Sequence, residues 1–210
     1  MKKPVIFFDW DGTLADSMGL SRAGVQTAYA EMGLPPCPEE KMIYCNGPTI
    51  EESAPLLGLA EAYHEEYIRR RYAAEMRILA EYQRMFAGVG EMLARLQEIA
   101  DLVIISNGGF PYISDSCRIL GVTERFACIQ GLVPGQKKGV TLGQVIDRLQ
   151  PERAVMVGDR TGDFVAGRMN GLTTVAAAYG YGTPEEWAQA DVTVDSVEAL
   201  EAWLTAWANA

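Results

Sequence analysis

The chain has 210 residues, 49% of them hydrophobic, and sets 18 Lys and Arg against 28 Asp and Glu for a formal net charge of −10. This balance argues against sequence-independent binding to a phosphate backbone, which needs clustered Lys and Arg, so no nucleic-acid partner is expected. A small anionic substrate stays open, because a bound metal inverts the local field, and the length suffices for one core or a core with a small inserted domain.

Cys37, Cys45, Cys117 and Cys128 form no C-x-x-C pair, so they predict buried thiols in a reducing compartment rather than a zinc site. Lys2 and Lys3 are followed by no long apolar segment. Neither a leader nor a membrane span is expected, and the reading is a cytoplasmic protein with no membrane partner, a monomer or weak homodimer. His64 is the only histidine and sits among charged residues on a predicted helix. Metal or acid–base chemistry must therefore rest on carboxylates.

In chain order, the apolar run at residues 5–8 predicts a buried central strand of a parallel sheet. Residues 17–32 carry apolar positions at helical spacing, and Gly33 stops them. Pro38 opens a short helix through Tyr44. Thr49-Ile50-Glu51-Glu52 matches a capping box that starts a third helix, and residues 60–82 predict a long fourth. A helical region of this size is too large for an ordinary loop. The expected division is a catalytic core over 1–15 and 86–210 with an inserted helical unit over 16–85.

From Phe86 the pattern alternates. Helices are expected at 88–99, 111–120, 139–149 and 161–170, and strands at 102–105, 127–130, 154–157, 173–176 and 192–194. Thr183-Pro184-Glu185-Glu186 starts a further helix, with cap, proline and capping box together. Asp195 is expected to cap the last helix, through Trp207. Repeated strand–helix units predict an α/β fold with a doubly wound, mostly parallel, Rossmann-like sheet.

Ligands of such sheets bind beyond the carboxyl ends of the strands, where the polar residues of this chain gather. The first strand runs into Asp9-Trp10-Asp11-Gly12-Thr13-Leu14. Two carboxylates there repel each other in a low-dielectric setting and call for a proton or a hard cation such as Mg²⁺. The next strand ends in Ser106-Asn107-Gly108-Gly109. A later one ends in Gly158-Asp159-Arg160-Thr161-Gly162-Asp163, and Lys137-Lys138 precedes the helix near Gly139.

These four motifs, in this order, resemble those of the haloacid dehalogenase superfamily of phosphotransferases across essentially the whole chain. The helical insert resembles its C1-type cap. Gly180-Tyr181-Gly182 and the stretch from Ala190 to Leu200 resemble the phosphoglycolate-phosphatase-like branch. The resemblance implies a Mg²⁺-dependent phosphatase for a small phosphorylated metabolite, phosphoglycolate among the candidates. It makes Asp9 the nucleophile that forms an aspartyl-phosphate, and Asp11 the general acid–base. It makes Asp9, the Asp11 carbonyl and Asp159 metal ligands, with Asp163 beside the metal. Thr13, Ser106, Asn107 and Gly108 would serve the phosphoryl group, and Lys138 would offset its charge. The Lys-Gly pair at 138–139 replaces the commoner Lys-Pro-x-Pro, which leaves Lys137 as the other candidate lysine.

Asn46-Gly47-Pro48-Thr49 precedes a helix N-terminus and suits an anion. Arg69, Arg70 and Arg71 suit a substrate carboxylate, but Glu65 and Glu66 at i,i+4 spacing read better as a solvated ion-paired face. Trp10 reads as a wall of the site or a packed aromatic. A metal-free dehalogenase is disfavoured by Asp11. The alternatives are a sugar-phosphate mutase of the same superfamily and a non-catalytic binding protein on this scaffold.

Overall fold

The computed structural model describes residues 3–210; Met1 and Lys2 lie outside them. The elements run β1 (Val5–Phe8), α1 (Met18–Glu31), α2 (Ile50–Leu56), α3 (His64–Tyr82), α4 (Val89–Ile99), β2 (Asp101–Ile105), α5 (Phe110–Ile119), β3 (Cys128–Gln130), α6 (Lys138–Leu149), β4 (Ala154–Gly158), α7 (Thr161–Met169), β5 (Thr173–Ala177), α8 (Pro184–Trp187), β6 (Val192–Val194) and α9 (Val197–Asn209). The six strands form one sheet in the order β3-β2-β1-β4-β5-β6, with every pair parallel. This is the expected doubly wound fold.

Strand β1 lies in the interior of the sheet, with Phe8 paired to Ile104 on β2 and to Val157 on β4. Its four residues are buried, and the period of two sends them to opposite layers. Ile6 and Phe8 join Leu93, Leu96, Ile113 and Leu204 on one face, while Val5 and Phe7 join Leu142, Val145 and Ala166 on the other. That two-sided burial is why the run carries no polar residue.

Helices α1, α2 and α3 build a separate apolar cluster around Val25, Tyr29, Met42, Leu57 and Tyr67. The chain enters and leaves them side by side: the Asp16 amide donates to the Arg84 carbonyl at 3.0 Å, and the Phe86 amide to the Leu14 carbonyl at 3.2 Å.

Several element ends differ from expectation. Residues 39–45 form a 3₁₀ helix rather than an α-helix, and another 3₁₀ turn, Glu61–Tyr63, precedes α3. The last helix is capped by Ser196, whose hydroxyl accepts from the Ala199 amide at 3.1 Å, and not by Asp195; it runs on to Asn209. Two neighbouring residues able to cap are indistinguishable by type, and the backbone turn selects between them. Cys37, Cys45 and Cys117 are buried free thiols, whereas Cys128 is half-buried. No helix among the described residues is long and apolar enough to cross a membrane.

Candidate active site

The exits of β1 and β4 and the first turns of α6 and α7 converge on one buried cluster. Asp9 leaves β1 with its amide donating to the Val157 carbonyl at 2.9 Å, so the sheet itself fixes it. Lys138, the first residue of α6, places Nζ 2.8 Å from Asp9 Oδ1 and 2.5 Å from Asp163 Oδ1. Of the two candidate lysines, Lys138 reaches the cluster, whereas Lys137 precedes the helix as its cap residue. Asp163 in turn accepts the Arg160 amide at 3.1 Å. Asp159 is fully buried and accepts the Tyr181 amide at 2.8 Å.

Oxygens of Asp9, Asp159 and Asp163 all lie within 4.8 Å of one another. Burial pushes the Asp9 carboxyl up to about 7, helped by the charge of Asp163 and opposed by Lys138. Burial, with Asp163 and Asp9, also holds Asp159 well above the usual carboxylate range. Burial works against the Lys138 charge, yet Asp163 and Asp9 outweigh it and raise its pKa. Three carboxylates facing one ammonium leave uncompensated negative charge in a dry setting. A hard divalent cation with oxygen ligands fits that donor set.

Two glycines make the close packing possible. Gly12 has φ +83°, and a Cβ there would sit 2.3 Å from Asp159 Oδ2; a Cβ on Gly180 would sit 2.2 Å from the Gly12 carbonyl oxygen. The chain therefore wraps Asp159 with bare backbone.

Asp11 stands apart from the acidic triad and accepts the Tyr112 hydroxyl at 2.6 Å. Burial raises its pKa, while the hydrogen bond from Tyr112 pulls the other way. A carboxyl biased toward its protonated form suits a proton donor.

The other expected residues divide. Ser106 is buried beside the cluster, and its hydroxyl accepts the Gly108 amide at 3.0 Å. Asn107 lines the cavity over Asp9 and donates to the Gly47 carbonyl at 3.1 Å, so it ties the core to the helical insert. Thr13 does not face that cavity: it is fully buried and its hydroxyl donates to Asp159 Oδ1 at 3.3 Å. Trp10 is likewise fully buried, edge-on to Phe126, and is not among the residues that line the cavity over Asp9. Arg70 pairs with Glu66 and Glu31, as a solvated face predicts. Arg71 does not: it is buried and paired with Glu75 at 2.8 Å.

A cavity of about 330 Å³ opens over Asp9 and Asp11, bounded by Ser106 below and by Asn46, Thr49, Arg69 and Glu75 of the insert above. Sequence reasoning missed Tyr112 and the Arg71–Glu75 pair. The second carried a signal: Arg71 and Glu75 continue the i,i+4 stripe that begins at buried Tyr67 and ends at buried Leu79.

An open α/β sheet with a carboxylate nucleophile candidate, a buried lysine and a cation-ready triad at its strand exits defines a phosphoryl-transfer type of site. A family model described as haloacid dehalogenase-like hydrolase matches residues 6–177, and the chain belongs to that family. It is 29% identical to tyrosine-protein kinase PtkA of Mycobacterium tuberculosis over 85% of this chain, and it spans only 63% of that relative's length. It is 29% identical to the N-acetylmuramic acid 6-phosphate phosphatase of Pseudomonas aeruginosa, covering 95% of this chain and 94% of the relative. The phosphoglycolate phosphatase of Chromobacterium violaceum is 28% identical over 93% of each chain. The haloacid dehalogenase-like hydrolase SP0104 of Streptococcus pneumoniae superposes with a TM-score of 0.89 at 23% identity, covering 96% of this chain and 98% of that one.

Proposed function

We propose that the protein is a Mg²⁺-dependent phosphatase of small phosphomonoesters that works through an aspartyl-phosphate on Asp9. The observation that carries this reading is the Asp9 carboxylate, held by Lys138 at the floor of a cavity and flanked by Asp159 and Asp163. The phosphatase-named relatives support it. Residues 16–85 act as a cap over the strand exits, as the paired crossings at Asp16–Arg84 and Leu14–Phe86 support.

Lys138 engages one oxygen of Asp9 and leaves the other to attack phosphorus, while its charge offsets the approach of two anions. Asp11, turned toward the cavity and held by Tyr112, gives its proton to the leaving oxygen. It then takes a proton from the water that attacks the acyl-phosphate, and inorganic phosphate leaves. Ser106 and the loop amides after β2 orient the phosphoryl oxygens. Asp9, Asp159, Asp163 and the Asp11 carbonyl would hold Mg²⁺, which supplies positive charge against the phosphoryl oxygens when bound. The buried free thiols support a cytoplasmic setting.

Chelation is the direct test. Turnover of a phosphate-ester panel is expected to vanish in EDTA and return with added Mg²⁺. Full activity in metal-free protein would sink the reading. A second reading, transfer of the phosphoryl group to a hydroxyl other than that of water, is favoured by the likeness to PtkA. Release of one inorganic phosphate per ester consumed, with no phosphorylated product, would exclude it.

A further inference from the structure

The cavity over Asp9 has one wall that the steps at phosphorus leave unused. Helix α3 supplies it, through Ile68, Tyr72 and the Arg71–Glu75 pair. Arg71 is already committed. Its Nε donates to Glu75 Oε1 at 2.8 Å, Nη1 to Ser53 Oγ at 3.1 Å and to the Tyr67 hydroxyl at 3.2 Å, and Nη2 to the Cys45 carbonyl at 2.6 Å. Glu75 is only 8% exposed. Its Oε1 is taken by Arg71, while Oε2 has no hydrogen-bond partner among the described residues and is not sealed from solvent. The neighbouring helix is cut away to seat this carboxylate: a Cβ on Gly24 of α1 would lie 2.4 Å from Glu75 Cγ.

We propose that Glu75, neutralised by Arg71, recognises hydroxyl groups of the leaving group and selects sugar or polyol phosphates over esters bearing a carboxylate or an ammonium. The inference rests on the phosphatase reading above and gives its substrate a chemistry. A carboxylate oxygen that no protein group satisfies, on the wall of a narrow cavity, takes its donor from whatever fills that cavity, water or the hydroxyl of a bound ester. The charge of Glu75 is already balanced, so a neutral hydroxyl suffices, and an ammonium would meet the Arg71 guanidinium as well. A carboxylate on the leaving group would face Glu75 and Asp11 together where most Arg71 N–H groups are occupied, and the one other arginine of this wall, Arg69, has a side chain 70% exposed, so water screens its charge. A cavity of about 330 Å³ is at the small end for ligand sites, which suits a single sugar or polyol phosphate.

The test is a Mg²⁺-supplemented comparison of sorbitol 6-phosphate, glucose 6-phosphate, phosphoglycolate and phosphoethanolamine, with acetyl phosphate as a minimal substrate. The better hydroxylated ester should exceed phosphoglycolate and phosphoethanolamine in kcat/KM by about 100-fold, since a site built to bond a hydroxyl rejects ligands that lack one. Glu75→Gln should narrow that ratio by about ten-fold or more. The double variant Arg71→Met/Glu75→Leu should do the same, and it removes the pair without stranding a buried charge, which covers a failure of the single variant to fold. Preference for phosphoglycolate or phosphoethanolamine, or an unchanged ratio in a folded variant, overturns the proposal while the phosphatase reading stands. If acetyl phosphate is not turned over either, the phosphatase reading itself has failed. In that case, or if acetyl phosphate alone is turned over, ligand-induced Tm shifts decide. Sorbitol 6-phosphate must raise Tm more than phosphoglycolate at equal concentration, and the reverse order overturns the proposal.

Discussion

Asp9→Asn is expected to cut kcat by about 10⁴-fold or more, the scale seen when a nucleophile is removed from an otherwise intact site. The amide keeps the shape of the carboxylate and loses its nucleophilicity. The same variant should be the more stable protein once metal is removed. Burial and the neighbouring Asp163 place the Asp9 carboxyl at about 7 against an ordinary 3.8, with Lys138 opposing. A carboxyl raised on folding contributes stability that is complete below the unfolded value and lost as pH climbs through the folded one. In EDTA, the Tm of Asp9→Asn minus that of the wild type should therefore grow between pH 5 and pH 8. Thermal melts across that window check it. A difference that shrinks with rising pH would show that Asp9 is held charged by stronger pairing than the geometry provides, and residual turnover in Asp9→Asn would remove it from the chemistry.

Arg71→Ala is expected to lower unfolding stability by about 3–5 kcal/mol, the range for removing one partner of a buried ion pair. The loss is large because one guanidinium serves three separate parts of the helical insert. It bonds Glu75 on its own helix, Ser53 on α2 and the Cys45 carbonyl before it, so its removal leaves several buried polar groups without partners. Urea unfolding at pH 7 measures it. A change below about 1 kcal/mol would mean that the pair behaves as a solvated one.

The middle of the sheet was legible because β1, β2 and β4 are short apolar runs that end at polar exits, and that pattern survives without any knowledge of pairing. Asp9, Lys138, Asp159 and Asp163 stood at those exits, and the fold brings them together. What escaped depends on faces. Arg69, Arg70 and Arg71 read alike as a charged run, yet a rotation of about 100° per residue puts the third on the packed side of α3. Thr13 read as a hydroxyl for phosphate, but the loop turns it under Asp159, a partner 146 residues away. The bond from Tyr112 to Asp11 joins residues 101 positions apart, and no local spacing announces it.

The position of β1 inside the sheet also sets when the site can exist. During synthesis Val5–Phe8 emerges before both of its partners, which are Asp101 and the residues after it on one side and Ala154 onward on the other. At roughly 5–20 residues per second, the wait for the second partner lasts on the order of 10–30 s. Until β2 follows, four adjacent apolar residues have no strand to pair with, and until β4 follows they are paired on one side only, while α1, α2 and α3 can already bury their own cluster. A ribosome-bound chain stopped near residue 120, with β2 still inside the ribosome, should thus carry a formed helical unit and a sticky, unpaired β1, and that strand is where a chaperone would be expected to hold it.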